Sequence, residues 1–319
     1  MLSSRSMETG VALRALAIVM VVFNHAHPGH WSPLGLGGGM MFLMLLSGQN
    51  FAKFALGPAT EGRQVVRASL KLAWEVFWPS LLVVLLWFVL RRSFNVYELF
   101  FVRNLVDTER LAKFPVWYVQ VLIQMMVMIA GAFLVRPVAT FALGRPRLFA
   151  TLVWLVFLIV RVAAFAPTTD GSTERKFVGH LPTSWFFDFA LGWMIYHFVD
   201  RAEEGEDHRL FISVALVVSG FLTSWPDELH FYWFVFGGLA LVWLDTVRTP
   251  DLLARLLEIT SQATFTIFIL HRMFFVVCEY APGGYLANFD VKFVIALVGT
   301  ITSWVVLSAA RRAWIRLRS

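Results

Sequence analysis

The chain has 319 residues, of which 58% are hydrophobic and only 15% charged, with a mean hydropathy of +0.69. Long apolar runs recur from end to end, which excludes an ordinary soluble enzyme and marks an integral membrane protein. The net charge of +6 falls in short connections and near the C-terminus, so it is no nucleic-acid signal, and a single cysteine, Cys278, excludes an internal disulfide.

The runs predict an all-α membrane protein of about ten transmembrane helices in one bundle. Each run is roughly 17–22 residues, the length that crosses the hydrocarbon core. They lie near 11–27, 37–57, 72–90, 115–136, 148–166, 181–200, 210–226, 230–246, 260–280 and 291–311. The first is followed by a polar turn and further spans and has no A-x-A-like end, so it reads as a retained span, not a signal peptide. The connection at about 91–114 mixes Phe, Leu and Val with charges and is expected along the membrane surface. No soluble domain or internal repeat interrupts the pattern, so residues 1–319 read as one transmembrane domain. Counting basic residues in the connections gives fifteen on one side and eight on the other. The positive-inside rule then predicts N-in and C-in, with Arg5, Arg63, Arg67, Lys71, Arg145 and Arg147 among the cytoplasmic set.

Residues that can carry chemistry stand out by their cost in a membrane. In the first span, Arg14 and His25 are the only ionisable side chains between Val11 and His25. Eleven residues are about three helical turns, which places both on one face, roughly 16 Å apart along the axis. A neutral imidazole can take a proton from a hydroxyl and pass it on. The plainer reading of His25 is a helix-end histidine near the interface. A metal site with His27 and His30 is a third, disfavoured because Pro28-Gly29 breaks the helix between them. Arg14 suits phosphate or carboxylate, or snorkels at a span end.

Gly37 through Ser47-Gly48 fills the second span with small residues and one hydroxyl, a pattern of close helix packing as well as of a site. Arg63, Arg67 and Lys71 are spaced by four and form a basic stripe for anionic lipid, or for the phosphates of a cytoplasmic donor. Glu75 and Asp188 read as buried carboxylates able to pair with Arg14 or orient a histidine. Trp117-Tyr118 opens the fourth span, where an aromatic belt is the plain reading. Arg161 is an intramembrane cation with no assigned partner. His271-Arg272 lies in the middle of an apolar span.

Taken in order, these blocks resemble the membrane acyltransferase-3 family. Leu13-Arg14 through His25 is similar to the family's opening arginine–histidine helix. Gly39-Met-Met-Phe42 through Ser47-Gly48 resembles its second helix, Trp117-Tyr118 with Leu122-Ile-Gln124 its tryptophan-led middle helix, and Ser261 through His271 its late block ending in leucine–histidine. Phe189-Ala-Leu-Gly192 resembles a fifth. The resemblance covers most of the chain and agrees with ten spans. It implies an enzyme of the cytoplasmic membrane that moves an acyl group, acetyl first, from acyl-CoA to a hydroxyl of an extracytoplasmic carbohydrate or glycolipid. No permanently bound cofactor is implied; acyl-CoA is the donor substrate, and membrane lipid is the surrounding partner. His25 would be the general base, by direct transfer or through an acyl-histidine. Arg14, with Arg67 and Lys71, would meet the donor phosphates, and Ser47, Gly48, Glu75, Trp117, Asp188 and His271 would line donor or acceptor. One departure stands out: the family's tight basic cluster just before a proline early in the third helix is missing, because Phe77-Trp78 precede Pro79. A transporter or flippase of a lipid-linked or glycan substrate is the competing expectation, since such proteins also keep charges at the bundle core.

Overall fold

The computed structural model describes residues 4–26, 39–106, 116–164, 181–203, 205–224, 228–281, 286 and 288–318. A short strand, β1 (Ser4–Glu8), leads directly into α1 (Thr9–Ala26). Next, α2 (Gly39–Phe51) continues as a π-helical turn over Ala52–Leu56. Then come α3 (Gly62–Arg91), the short α4 (Val96–Leu99), α5 (Trp117–Leu134), α6 (Arg136–Gly144) and α7 (Pro146–Ala164). Like α2, α8 (Phe186–Ile195) ends in a π-helical turn, Tyr196–Asp200, before α9 (Arg209–Ser224) and α10 (Glu228–Trp243). The order is completed by β2 (Thr246–Pro250), α11 (Asp251–Gln262), α12 (Thr264–Tyr280) and α13 (Phe289–Arg318).

Helix is the natural answer to this composition, because only helices satisfy every backbone group within one segment in lipid. Polar side chains inside the helices follow the same logic. Ser69, Ser80 and Thr300 are buried, and each turns its hydroxyl onto the carbonyl four residues back, at Val65, Val76 and Ala296 respectively.

The described chain divides into two compact units, residues 1–40 with 244–319, and residues 41–243. In the first unit, β1 and β2 pair antiparallel from Ser4 opposite Pro250 to Glu8 opposite Thr246. Met7 on this ribbon packs with Ala12 and Ala254, and Arg5 pairs with Glu258. The ribbon sets the start of α1 beside α11, and α12 and α13 pack on α1 further along. This two-stranded ribbon is absent from the all-helical expectation. Burial alternates along each strand, but each turns only two residues inward and buries only one of them well, Met7 and Thr249, too short a pattern to stand out in the sequence.

The second unit is built on the pairs α3–α5, α7–α8 and α9–α10. Its tightest crossing is between α2 and α8. A Cβ at Gly48 would strike the carbonyl of Phe189, and a Cβ at Gly192 would strike the carbonyl of Leu45. Two glycines thus let two backbones meet.

Five described helices are long and apolar enough to cross a membrane: α1, α3, α5, α7 and α13. The α11–α12 pair makes a sixth only if its 79° bend lies within one span. Every predicted run is helical where described, but the runs at 37–57 and 181–200 are each interrupted by a π turn, and those at 210–226 and 230–246 are shorter helices. Hydropathy counts apolar residues and is blind to such breaks.

The described part of the connection after α3 exposes Phe94, Val96, Tyr97, Phe100, Leu105 and Val106, and buries a polar set, Glu98, Arg103 and Asn104. Arg103 pairs with Glu98, and Asn104 exchanges two amide hydrogen bonds of 2.8 Å with Gln124 of α5. The Gln124 amide also donates to the Phe101 carbonyl, at 2.8 Å. This pairing is what makes burying the polar set tolerable.

Candidate active site

In the first unit, α1 and α12 bring two histidines together. His25 Nδ1 lies 2.8 Å from His271 Nε2. The rings are inclined by only 3°, with centroids 5.0 Å apart. That separation leaves little more than the two ring radii beyond the nitrogen–nitrogen distance, so the rings meet edge to edge in one plane, the geometry of a linear hydrogen bond.

The protons of this pair can be placed. His271 Nδ1 lies 3.0 Å from the Ile267 carbonyl, one helical turn back. A carbonyl only accepts, so His271 Nδ1 carries a hydrogen, and the neutral ring presents Nε2 as acceptor. His25 must then donate from Nδ1, which leaves its own Nε2 unprotonated. His271 is fully buried, between Phe268 and Phe275, whereas His25 is half-buried. One ring is fixed and the other is reachable.

Arg14 is half-buried on the same continuous helix, three turns before His25. A Cβ at Gly39 would meet the Ala17 carbonyl, so this glycine lets the start of α2 close on α1. His27 and His30 lie outside the described residues.

The other expected site residues belong to the second unit. The Ser47 hydroxyl donates to the Leu43 carbonyl at 2.7 Å and stands 3.2 Å from the Tyr118 hydroxyl. With its own hydrogen engaged, Ser47 accepts from Tyr118. Gly48 is explained by the crossing with Gly192, a packing role. Trp117 packs on Trp185 with centroids 5.7 Å apart.

Asp188 is completely buried, and neither carboxylate oxygen has a hydrogen-bond partner among the described residues. Arg161 on α7, an intramembrane cation with no partner assigned from the sequence, is the cation that acts on Asp188.

The stripe on α3 is exposed throughout: Arg63, Arg67, Lys71 and Glu75 are all open on the same side as Trp74 and Trp78. Glu75 is therefore not a buried carboxylate. Its side chain is 59% exposed and pairs with Lys71 at 3.8 Å. It was expected to be buried because it falls in the apolar run 72–90, but Trp74 and Trp78 beside it are also exposed.

Sequence reasoning missed Tyr118 as the partner of Ser47, the Arg161–Asp188 couple, and Gln124 as the anchor of the 91–106 segment. The last two carried a signal, a lone polar residue in an apolar run, but its target lay on another helix.

Among known families, the model of the acyltransferase-3 family, described as an acyltransferase domain, matches residues 12–309. That range takes in every residue discussed above from Arg14 to His271. No curated protein and no solved structure matches the chain.

Proposed function

Because the chain belongs to the acyltransferase-3 family, we propose that it is an integral enzyme of the cytoplasmic membrane that transfers an acyl group, acetyl first, from acyl-CoA to a hydroxyl of an extracytoplasmic carbohydrate or glycolipid. The single observation that carries this reading is the His25–His271 hydrogen bond, because it leaves a bare imidazole nitrogen on the more accessible ring.

In the proposed step, His25 Nε2 takes the proton of the acceptor hydroxyl as its oxygen attacks the thioester carbonyl. The new C–O bond forms, the C–S bond breaks, and the coenzyme A thiolate leaves and takes the proton from His25. While His25 is cationic, its Nδ1–H bond to His271 is charge-assisted and so stronger than in the resting state. His271 is a positioning residue: it holds the tautomer and ring plane of His25, as a carboxylate does in a hydrolase triad. Arg14, on the same face of α1, contacts the donor. The N-in and C-in topology brings donor and acceptor from opposite sides.

The test is transfer from labelled acetyl-CoA to a glycan or glycolipid acceptor by the purified full chain in nanodiscs. His25→Ala is expected to lower the rate by about 10²–10⁴-fold. A wild-type rate in that variant removes the base role. Movement of unmodified acceptor across vesicles without donor would instead favour a transporter.

A further inference from the structure

The second unit contains a cavity of about 560 Å³ that none of the expected site residues lines. Its size is that of a small-ligand site. Three arginines line it: Arg145, Arg147 and Arg201. Arg145 and Arg201 are exposed at its rim, and Arg147 is half-buried. One carboxylate, Glu203, also lines it, and Glu206 pairs with Arg147, so one positive charge remains in excess around the cavity.

Several features show a built site instead of a chance grouping. Arg147 Nε donates to the His197 carbonyl at 3.1 Å, and Arg201 Nε donates to the Tyr196 hydroxyl at 2.9 Å. Each arginine is thereby fixed along the wall; the far end of Arg147 pairs with Glu206, while Arg201 keeps further guanidinium hydrogens. The first turn of α7 also lines the cavity, and the positive end of a helix favours an anion. Both π-helical turns of the described residues contribute, Ala52–Leu56 through Leu56 and Tyr196–Asp200 through Tyr196 and His197. Such turns break helix regularity at a cost and occur often at functional sites.

An unmet hydrogen bond lies in the same wall. Trp193 lines the cavity at 1% exposure, and its indole N–H has no partner among the described residues. It stacks against Phe149, also in the lining, with planes 16° apart. A buried donor with no acceptor is costly unless a ligand supplies one.

We infer that this cavity binds the phosphorylated nucleotide end of a coenzyme A donor. The arginines and the helix end meet phosphate, while the aromatic wall and the free indole N–H meet a base that has ring faces and acceptor atoms. The inference rests on the acyl-CoA reading above and deepens it.

The probe is adenosine 3′,5′-bisphosphate, titrated onto the full chain in phosphatidylcholine nanodiscs and followed by calorimetry. The double variant Arg145→Gln/Arg201→Gln, altered only at exposed positions, is expected to weaken binding about tenfold or more and to raise the donor KM with kcat at saturating donor retained. Unchanged affinity and donor KM overturn the inference and leave the acyltransferase reading standing. Arginine-dependent binding by a protein that transfers no acyl group supports the site and sinks that reading. Loss of affinity through Arg67→Gln/Lys71→Gln instead would put the phosphates on α3 and overturn the inference. So would displacement of the probe by phosphatidylglycerol added to the nanodiscs, which would make the cavity a lipid-headgroup site.

Discussion

His25 and His271 divide one task, and their substitutions should separate it. His271→Ala removes the acceptor that holds His25 in its Nδ1–H tautomer. Its kcat is expected to fall by about 10²–10⁴-fold, the span a displaced or wrongly protonated base costs. A donor KM within error of wild type, together with the fall, marks a positioning role; an unaltered kcat removes it. Both histidines were legible as candidates, since an imidazole in an apolar run is conspicuous. Their partnership was not, because 246 residues separate them and no local pattern encodes a hydrogen bond between α1 and α12. Glu75 shows the opposite error, where a place inside the apolar run 72–90 gave an exposed carboxylate the look of a buried one. A surface pair allows a further prediction. The hydrogen bond from the Arg147 guanidinium holds the Glu206 carboxyl below its ordinary range. A depressed folded-state pKa stabilises above the unfolded value, and this is lost as pH falls through the folded value. Between neutral pH and about pH 3, the wild type should lose thermal stability that Glu206→Gln already lacks. Parallel melting curves for the two would contradict this.

At the scale of elements, the glycines of α2 and α8 set how two helices meet. Gly48→Ala places a methyl against the Phe189 carbonyl, and backbone cannot move aside as a flexible side chain does. The expected cost is about 1–3 kcal/mol, read as a lower melting temperature in detergent; Gly131→Ala, which would meet nothing within 4 Å, is the control. Gln124→Leu leaves the buried Asn104 amide without its partner, at about 1–3 kcal/mol, and should loosen the segment before α5, measured by hydrogen exchange at residues 98–105. Composition and periodicity located every apolar run, because burial in lipid needs no knowledge of neighbours. They could not show where a run bends or changes to a π turn. Those breaks depend on contacts such as Tyr196 against Gly57 and Gln49 against Asp200, which join residues far apart in the chain.

At the scale of the whole molecule, the membrane class and the family were both legible, the first from bulk hydropathy and the second from short ordered blocks. The β1–β2 ribbon was not, since two five-residue strands with two inward residues each resemble any loop. Deleting residues 4–8 should lower the melting temperature and the rate together, because the ribbon seats the start of α1 beside α11. The ribbon and the histidine pair also impose an order on biogenesis. Residue 25 is synthesised long before residue 271, and at about 5–20 residues per second the interval is on the order of tens of seconds. During that time α1 sits in the bilayer with neither its strand partner nor its ring partner yet made. Under the proposed mechanism, a nascent or prematurely ended chain lacking α12 therefore has a histidine but no aligned base, so catalytic competence would arrive late in translation, with unfinished copies left inert.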